Sequence, residues 1–398
     1  MGNFPGERES ASTPAPIRAF YSDHAWIEGA AIQQAQHVAG LPGMSALALF
    51  PDLHPGKYGP TGMAALSDRL YPQLIGNDIG CGMALFCLDL APRKLRIDKA
   101  EDRLRSMMEH KPFDPSEELE AVGLPPDLWP LSLGDIGGGN HFCELQTIGT
   151  LFGEPAIERD KLYLLVHSGS RGLGTEVFER VQKSGSLNEG LDPDSEAGRD
   201  WLLRHDAAVG WAALNRKLIA ARAAAALGAE AELVTDVPHN RVRATSTGFV
   251  HHKGAADVSA GGLAPVAGSR ASASYIVSAL PGVGDALGAI SHGAGRKYDR
   301  ATMHGRVGRT RSEREALLRN EWGGKLICDD RNLVIEEAAH AYKDAGKVVA
   351  DLAGFGLVAA VAEMRPLVTY KKANTPEPET PKVEHWRKTR SREARYGR

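Results

Sequence analysis

Lys161-Leu162-Tyr163-Leu164-Leu165-Val166-His167-Ser168-Gly169-Ser170-Arg171-Gly172 joins a strand-like apolar run to a glycine-punctuated turn. The run has no Gly or Pro, so it predicts a strand, and the glycines that follow let the backbone turn close to whatever His167 holds. The same junction recurs along the chain. Leu233 to Val237 reads as a strand leading to His239 in Val-Pro-His-Asn, His141 sits in Gly-Gly-Gly-Asn-His-Phe, and Asp78 and Cys81 share Gly-Asn-Asp-Ile-Gly-Cys-Gly-Met. Three imidazoles, a carboxylate and a thiol therefore stand where apolar runs give way to glycine. Side chains far apart in sequence are expected to converge on one rigid pocket.

Working outward, Ala25 to Ala39 reads as a helix, Met44 to Phe50 as a short strand ending at Pro51, and Asp98 to Glu109 as a charged, exposed helix. Trp211, Leu214, Leu218 and Ile219 recur at helical spacing in the Ala-rich stretch Arg204 to Leu227, which argues one long helix. Ser272 to Leu280 is a further apolar segment. Leu333 to Ile335 runs into a helix expected from Glu336 to about Leu352, where Pro and Gly are nearly absent. No repeat of solenoid or propeller period is visible. The expected fold is mixed α/β or α+β: a single large domain over residues 18–372, with a central sheet carrying the site on its loops. Residues 1–17 are expected to be disordered, and 373–398 to be a Pro/Glu linker with a basic tail.

Composition sets limits on function. The chain has 398 residues, 42% of them hydrophobic and 24% charged, which suits a soluble globular protein with a sizeable core. Cys81, Cys87, Cys143 and Cys328 lack paired secretory spacing, and neither a leader nor a membrane-spanning apolar run is evident, so reduced thiols in the cytoplasm are expected. The net charge of -3 argues against a uniformly basic nucleic-acid surface. Residues 381–398, however, carry seven Lys or Arg against two Glu, 7 - 2 = +5, with Trp386 and Tyr396 interleaved. That tail is read as a solvated end, with RNA phosphate contact and stacking as its functional alternative.

Taken singly, each donor has a plain alternative: a hydrogen-bonded structural histidine, or a small core cysteine. Taken jointly, the set is not a closed, Cys-rich structural zinc site, and it would accept manganese, zinc, cobalt or nickel. His292, in Ser291-His292-Gly293-Ala294-Gly295-Arg296, is left for other chemistry. Its glycine neighbours allow a phosphate to approach, and a neutral imidazole nitrogen is a competent nucleophile for phosphorus.

In order along the chain stand Pro51-Asp52-Leu53-His54-Pro55-Gly56, Asp78 to Met83, Gly139-Asn140-His141-Phe142 with Glu144, and His167 to Gly174. His239-Asn240, Gly268-Ser269, Ser291 to Arg296, Glu336-Glu337 to Asp344, and Val368-Thr369-Tyr370-Lys371 follow. This series resembles the RtcB-type RNA ligases, which seal RNA 3'-phosphate or 2',3'-cyclic phosphate ends to 5'-hydroxyl ends. The resemblance implies two Mn²⁺ ions bridged by Cys81, one completed by Asp78 and His141 and the other by His167 and His239. It also implies GTP as cofactor, with GMP carried covalently on His292 and then passed to the RNA 3'-phosphate before the 5'-hydroxyl displaces it.

For the nucleotide pocket, the resemblance implies Asn140, Glu144, Asn240, Ser269, Ser274, His292, Gly293, Ala294, Gly295, Tyr342 and Lys371. Arg171, Arg216, Lys253, Arg270 and Arg296 are candidate RNA-phosphate contacts, because Arg forks match phosphate geometry. Arg270, where the family tends to have Met, and Lys297-Tyr298-Asp299-Arg300, where it tends to have an apolar pair and Ser-Arg, are departures. With Gly-Asn-Asp-Ile-Gly and Glu336-Glu337-Ala338, they resemble a paralogous branch linked to a peptide-release-factor homologue and RNA repair. The implied partners are broken tRNA or ribosomal RNA and a release-factor-like protein. Two other functions fit the residues alone: a dinuclear metallohydrolase without a covalent histidine, and a non-catalytic RNA-binding or ribosome-associated module.

Overall fold

The computed structural model describes residues 13–108, 114–152, 157–184 and 188–373. Among these, the larger sheet orders its strands β11 (Leu263–Val266), β12 (Ser274–Ala279), β15 (Val358–Lys372), β5 (Phe142–Leu151), β6 (Leu162–Ser168), β4 (Gly82–Leu88) and β7 (Ala231–Pro238), with β14 (Lys325–Cys328) beside β15. The sheet turns back toward its own start, since the Thr235 hydroxyl of β7 donates to the Leu263 carbonyl of β11 at 2.8 Å. A smaller sheet runs β1 (Ile17–Ala19), β2 (Met44–His54), β3 (Thr61–Ser67), β9 (Gly248–Lys253) and β8 (Asn240–Thr245). A short ladder pairs β10 (Ala255–Asp257) with β13 (Ala289–Ser291). Pairing is antiparallel except at β1–β2 and β14–β15. This is the mixed α+β domain that the sequence predicts.

Strands β4 and β6 read as continuous apolar runs because both of their faces are covered. Ala84, Phe86, Leu164 and Val166 pack against Ile219, Ala220, Ala223 and Ala224 of the helix Glu196–Leu227. The alternate residues Met83, Leu85, Tyr163 and Leu165 point the other way, onto Ala267, Ile276, Ala362 and Met364. That helix begins eight residues earlier than its apolar spacing suggests. Ser195 caps it, its hydroxyl accepting from the Gly198 N–H at 3.0 Å, and Gly228 ends it at φ 73°.

Other boundaries moved for local reasons. The first helix starts at Gly29 and the charged helix covers Ile97–Arg105. Strand β2 continues through Pro51 to His54, where a register shift against β3 between Leu49 and His54 spares the ladder the missing N–H. The helix expected over 336–352 is two helices: Arg331–Glu336 stops, and Ala345–Gly354 restarts where the Asp344 carboxylate accepts from Gly346 and Lys347 N–H. The expected disorder at 1–17 does not extend over residues 15–17, because the Ala15 N–H donates to the Ala39 carbonyl and Ile17 opens β1. Residues 1–12 and the basic tail lie outside the described residues.

Arg216 is 1% exposed and ties this frame together. Its guanidinium pairs with Asp236 of β7 at 2.7 and 3.1 Å, and its Nη1 donates to Gly80 O at 2.8 Å and Ser168 O at 2.9 Å. It is an internal clamp, with no edge left for an RNA phosphate. Gly80 completes the contact: at φ +71°, an added Cβ would lie 2.8 Å from Val209 Cα on the long helix. Arg216→Ala is expected to lower unfolding free energy by about 3–5 kcal/mol, since it leaves Asp236 and two carbonyls without their buried partner. Urea denaturation checks this, and an unchanged midpoint would refute the clamp.

Candidate active site and metal centre

The metal-donor candidates sit at one edge of the larger sheet because their strands are neighbours there. His141 immediately precedes β5, His167 is the penultimate residue of β6, Cys81 precedes β4 and His239 follows β7, in the spatial order β5-β6-β4-β7. The register fixes them side by side: His167 pairs with Phe142 on one flank and Met83 on the other, and Gly82 pairs with Pro238. Backbone bonds lock the turn, with the His239 N–H donating to Cys81 O at 2.8 Å and the Gly80 N–H to Asn240 O at 2.7 Å.

The donor atoms consequently crowd together. Cys81 Sγ lies 3.3 Å from His141 Nε2 and 3.2 Å from His167 Nε2, His141 Nε2 lies 3.0 Å from an Asp78 oxygen, and His167 Nε2 lies 3.3 Å from His239 Nε2. The Asp78 carboxylate can come this close because residue 169 is Gly, where a Cβ would be 2.1 Å from its oxygen. Burial pushes His167 and His239 well below the usual imidazole range, and burial with the Asp78 charge pushes the Cys81 thiol well up. The neutral His167 and His239 imidazoles, facing each other nitrogen to nitrogen beside a buried sulfur, suit a cation, whose charge would ionise the thiol. Cys81, His141 and His167 all lie within 4.8 Å of one another, as a metal-binding set requires.

His292 reaches this row from the other part of the molecule. It follows β13, and its ring centroid is 4.4 Å from that of His239. Its Nδ1 meets two acceptors, an Asp52 carboxylate oxygen at 2.9 Å and the Gly254 carbonyl at 2.6 Å. Nδ1 must therefore carry the proton, and the lone pair is left on Nε2. Asp52, fully buried on β2, also accepts from the Ser291 hydroxyl at 2.8 Å. Sequence alone gives Asp52 no role, because a carboxylate on one strand and a histidine 240 residues later share no local pattern.

A cavity of about 950 Å³ opens over these residues, within the size range of ligand pockets. Asn140, Glu144, Asn240, Ser269, Gly293, Ala294, Gly295, Tyr342 and Lys371 line it, as do Lys253, Arg270 and Arg296. Several of them have prior engagements. Lys371 Nζ donates to Gly139 O at 2.9 Å and His141 O at 3.1 Å, and so holds the loop bearing Asn140 and His141. Lys253 Nζ donates to Ile75 O at 2.8 Å, and the Asn240 side-chain oxygen accepts from the Gly254 N–H at 2.9 Å. Arg296 pairs with Glu337 at 3.1 Å and lies over the Tyr342 ring, while the Tyr342 hydroxyl donates to Glu337. Ser269 Oγ sits 3.0 Å from Ser272 Oγ.

Three assignments from sequence need correction. Ser274 is buried below the cavity, its Oγ accepting from the Gly268 N–H and Gln146 Nε2. Arg270 is buried and donates to Val334, Glu337 and Leu317 carbonyls at 2.6, 2.7 and 3.3 Å, closing the end of the helix Arg331–Glu336 rather than offering its fork to RNA. Arg171, at φ 55°, has its Nη1 engaged as a donor to His141 Nδ1 at 3.1 Å. Glu337, Gln146 and Thr369 are further polar supports of the cavity, which no local sequence pattern marks.

The chain belongs to the RtcB family. The family profile described as tRNA-splicing ligase RtcB matches residues 34–122 and 127–372. A protein of Escherichia coli named RNA-splicing ligase RtcB2 is 41% identical over 88% of this chain and 94% of its own length. The tRNA-splicing ligase RtcB of Thermococcus kodakarensis is 26% identical over 84% of this chain and 90% of its own. No helix among the described residues is long and apolar enough to cross a membrane.

Glu144 offers a test of how dry the cavity floor is. Burial raises its carboxyl to about 7, against donation from Thr369 and from Gln146 at 2.6 Å. With a folded value above the unfolded one, the native state holds a proton that the unfolded chain releases, so stability falls as pH rises from about 4.5 to about 7. Relative to Glu144→Gln, the unsubstituted protein should lose on the order of 3 kcal/mol between pH 5 and pH 8. Parallel pH profiles in urea unfolding would show instead that Glu144 is hydrated.

Proposed function

We propose that the protein is a GTP-dependent RNA ligase joining 3'-phosphate or 2',3'-cyclic phosphate ends to 5'-hydroxyl ends. The observation that carries the reading is the geometry of His292: Nδ1–H held between Asp52 and Gly254, Nε2 without a hydrogen-bond partner among the described residues, and the ring beside His239 at the end of the donor row. An imidazole so held is a nucleophile for phosphorus. Membership of a family whose relatives are named RNA-splicing ligases supports RNA ends as what that nucleophile serves. In this reading water first opens a 2',3'-cyclic phosphate to a 3'-phosphate, His292 Nε2 takes GMP from GTP with release of pyrophosphate, the RNA 3'-phosphate receives the GMP, and the 5'-hydroxyl displaces it.

Asp78, Cys81, His141, His167 and His239 would hold two Mn²⁺, with Cys81 bridging. Such ions supply charge neutralisation at phosphoryl oxygens and alignment of nucleophile and leaving group. Asp52 fixes the His292 tautomer, Gly293 and Gly295 let the loop after His292 pack against the Ala267 and Asp52 carbonyls, and Glu144 and Tyr342 face the base. The RNA is a broken tRNA or ribosomal RNA in the cytoplasm, with a release-factor-like protein as partner. A hydrolase acting through its metals alone would have no use for the Asp52–His292 pair.

His292→Ala should keep its metal yet take up no label from α-labelled GTP, and ligation should fall to background; undiminished labelling would overturn the assignment. Cys81→Ser should lose both ions together, because a serine hydroxyl stays protonated near neutral pH. Metal analysis of the purified variant decides this, and loss of a single equivalent would mean that Cys81 serves one ion only.

A further inference from the structure

Two aromatic rings and several cations stand together at the mouth of the cavity, and neither the donor row nor His292 uses them. Trp26, on the loop before the helix Gly29–Ala39, is 41% exposed. It meets Tyr298 edge-on, with ring centroids 6.4 Å apart. Lys297 Nζ is 6.0 Å from the Trp26 ring and 5.5 Å from that of Tyr298, and the Arg306 guanidinium lies over Tyr298 at 3.7 Å. Both rings line the same cavity as His292. Tyr298 packs against the cluster of Met303, Ala338 and Ala341, whereas Trp26 stays exposed, and cations at 6 Å gain little from an exposed ring, so packing does not explain Trp26.

The support beneath these rings is stiff. Lys297 and Tyr298 N–H both donate to the Ala341 carbonyl, at 2.7 and 3.3 Å. Asp299 caps the helix Arg300–Arg306 by accepting from the Thr302 N–H at 2.8 Å, which sets Arg306 over Tyr298. Beside Trp26, Lys343 Nζ donates to Pro51 O and Leu53 O at 2.8 Å each. Those carbonyls flank Asp52, the residue that holds His292. The rings thus have a fixed relation to the nucleophile.

We propose that Trp26, braced edge-on by Tyr298 and flanked by Lys297 and Arg306, forms a stacking platform for unpaired nucleotides next to the RNA end being joined. The proposal rests on the RNA-ligase reading and adds a substrate class to it: ends whose last bases are single-stranded. Every base has a π-face, so an exposed indole takes any of them, but only when the base is not already stacked within a duplex. The cations are placed to neutralise the phosphates of the same strand.

The test uses metal-loaded protein and a fluorescent oligoribonucleotide ending in a 3'-phosphate, either single-stranded or as the same end in a blunt duplex. Full-length protein should bind the single strand more tightly. Trp26→Leu should weaken that binding by about tenfold or more, Trp26→Phe should retain most of it, and the blunt duplex should not distinguish the variants. Arg306→Gln should flatten the salt dependence of single-strand binding by roughly 0.7 per lost contact. Equal affinity of Trp26→Leu and the parent for the single strand overturns the platform. So does slower self-labelling of Trp26→Leu at low GTP, which would put the guanine base on Trp26. If the parent protein neither labels nor ligates, the ligase reading fails on its own, while the single-strand comparison still decides what Trp26 binds.

Discussion

The register of four neighbouring strands, β5-β6-β4-β7, is the constraint on which the rest depends. Adjacent strands lie about 4.8 Å apart, a spacing that brings four side chains at one edge within reach of shared cations. Because side chains alternate between faces, a slip of one residue in β6 would send His167 to the opposite side of the sheet. The devices that prevent a slip are visible: apolar packing on both faces of β4 and β6, the His239-to-Cys81 backbone bond, and Arg216 reaching from the long helix to the ends of β6 and β7 and to the loop before β4.

The second half of the site comes from the smaller sheet and the β10–β13 ladder. Asp52 on β2, Gly254 between β9 and β10, and His292 after β13 meet the donor row where Asn240, next to His239, bonds the Gly254 N–H. The two halves need each other. The larger sheet alone gives a cluster of donors, and the smaller alone gives a histidine in a defined tautomer; together they set a nucleophile beside a metal-binding edge.

Much of this was legible in sequence, and the limits are physical. Glycine after an apolar run marks both a strand end and a close approach, which is why Cys81, His141, His167 and His239 could be picked out together. The long helix was legible from its spacing, though its cap at Ser195 was not used. Burial is a tertiary property, so Arg216 and Arg270 read as phosphate forks when they are internal clamps, and Ser274 read as a pocket residue when it lies beneath the floor. Asp52 was invisible as a partner of His292 because the pairing joins strands of different sheets. The break in the helix expected after Glu336 turns on Asp344 capping a new helix, and on Glu337 and Tyr342 pairing with each other and with Arg296.

Anomalous diffraction from crystals grown with Mn²⁺ tests the central claim most directly. The account predicts two peaks at the edge formed by β5, β6, β4 and β7, both within bonding distance of Cys81 Sγ, one beside Asp78 and His141 and the other beside His167 and His239. A map with no peak at that edge, or with manganese held elsewhere on the molecule, would contradict it.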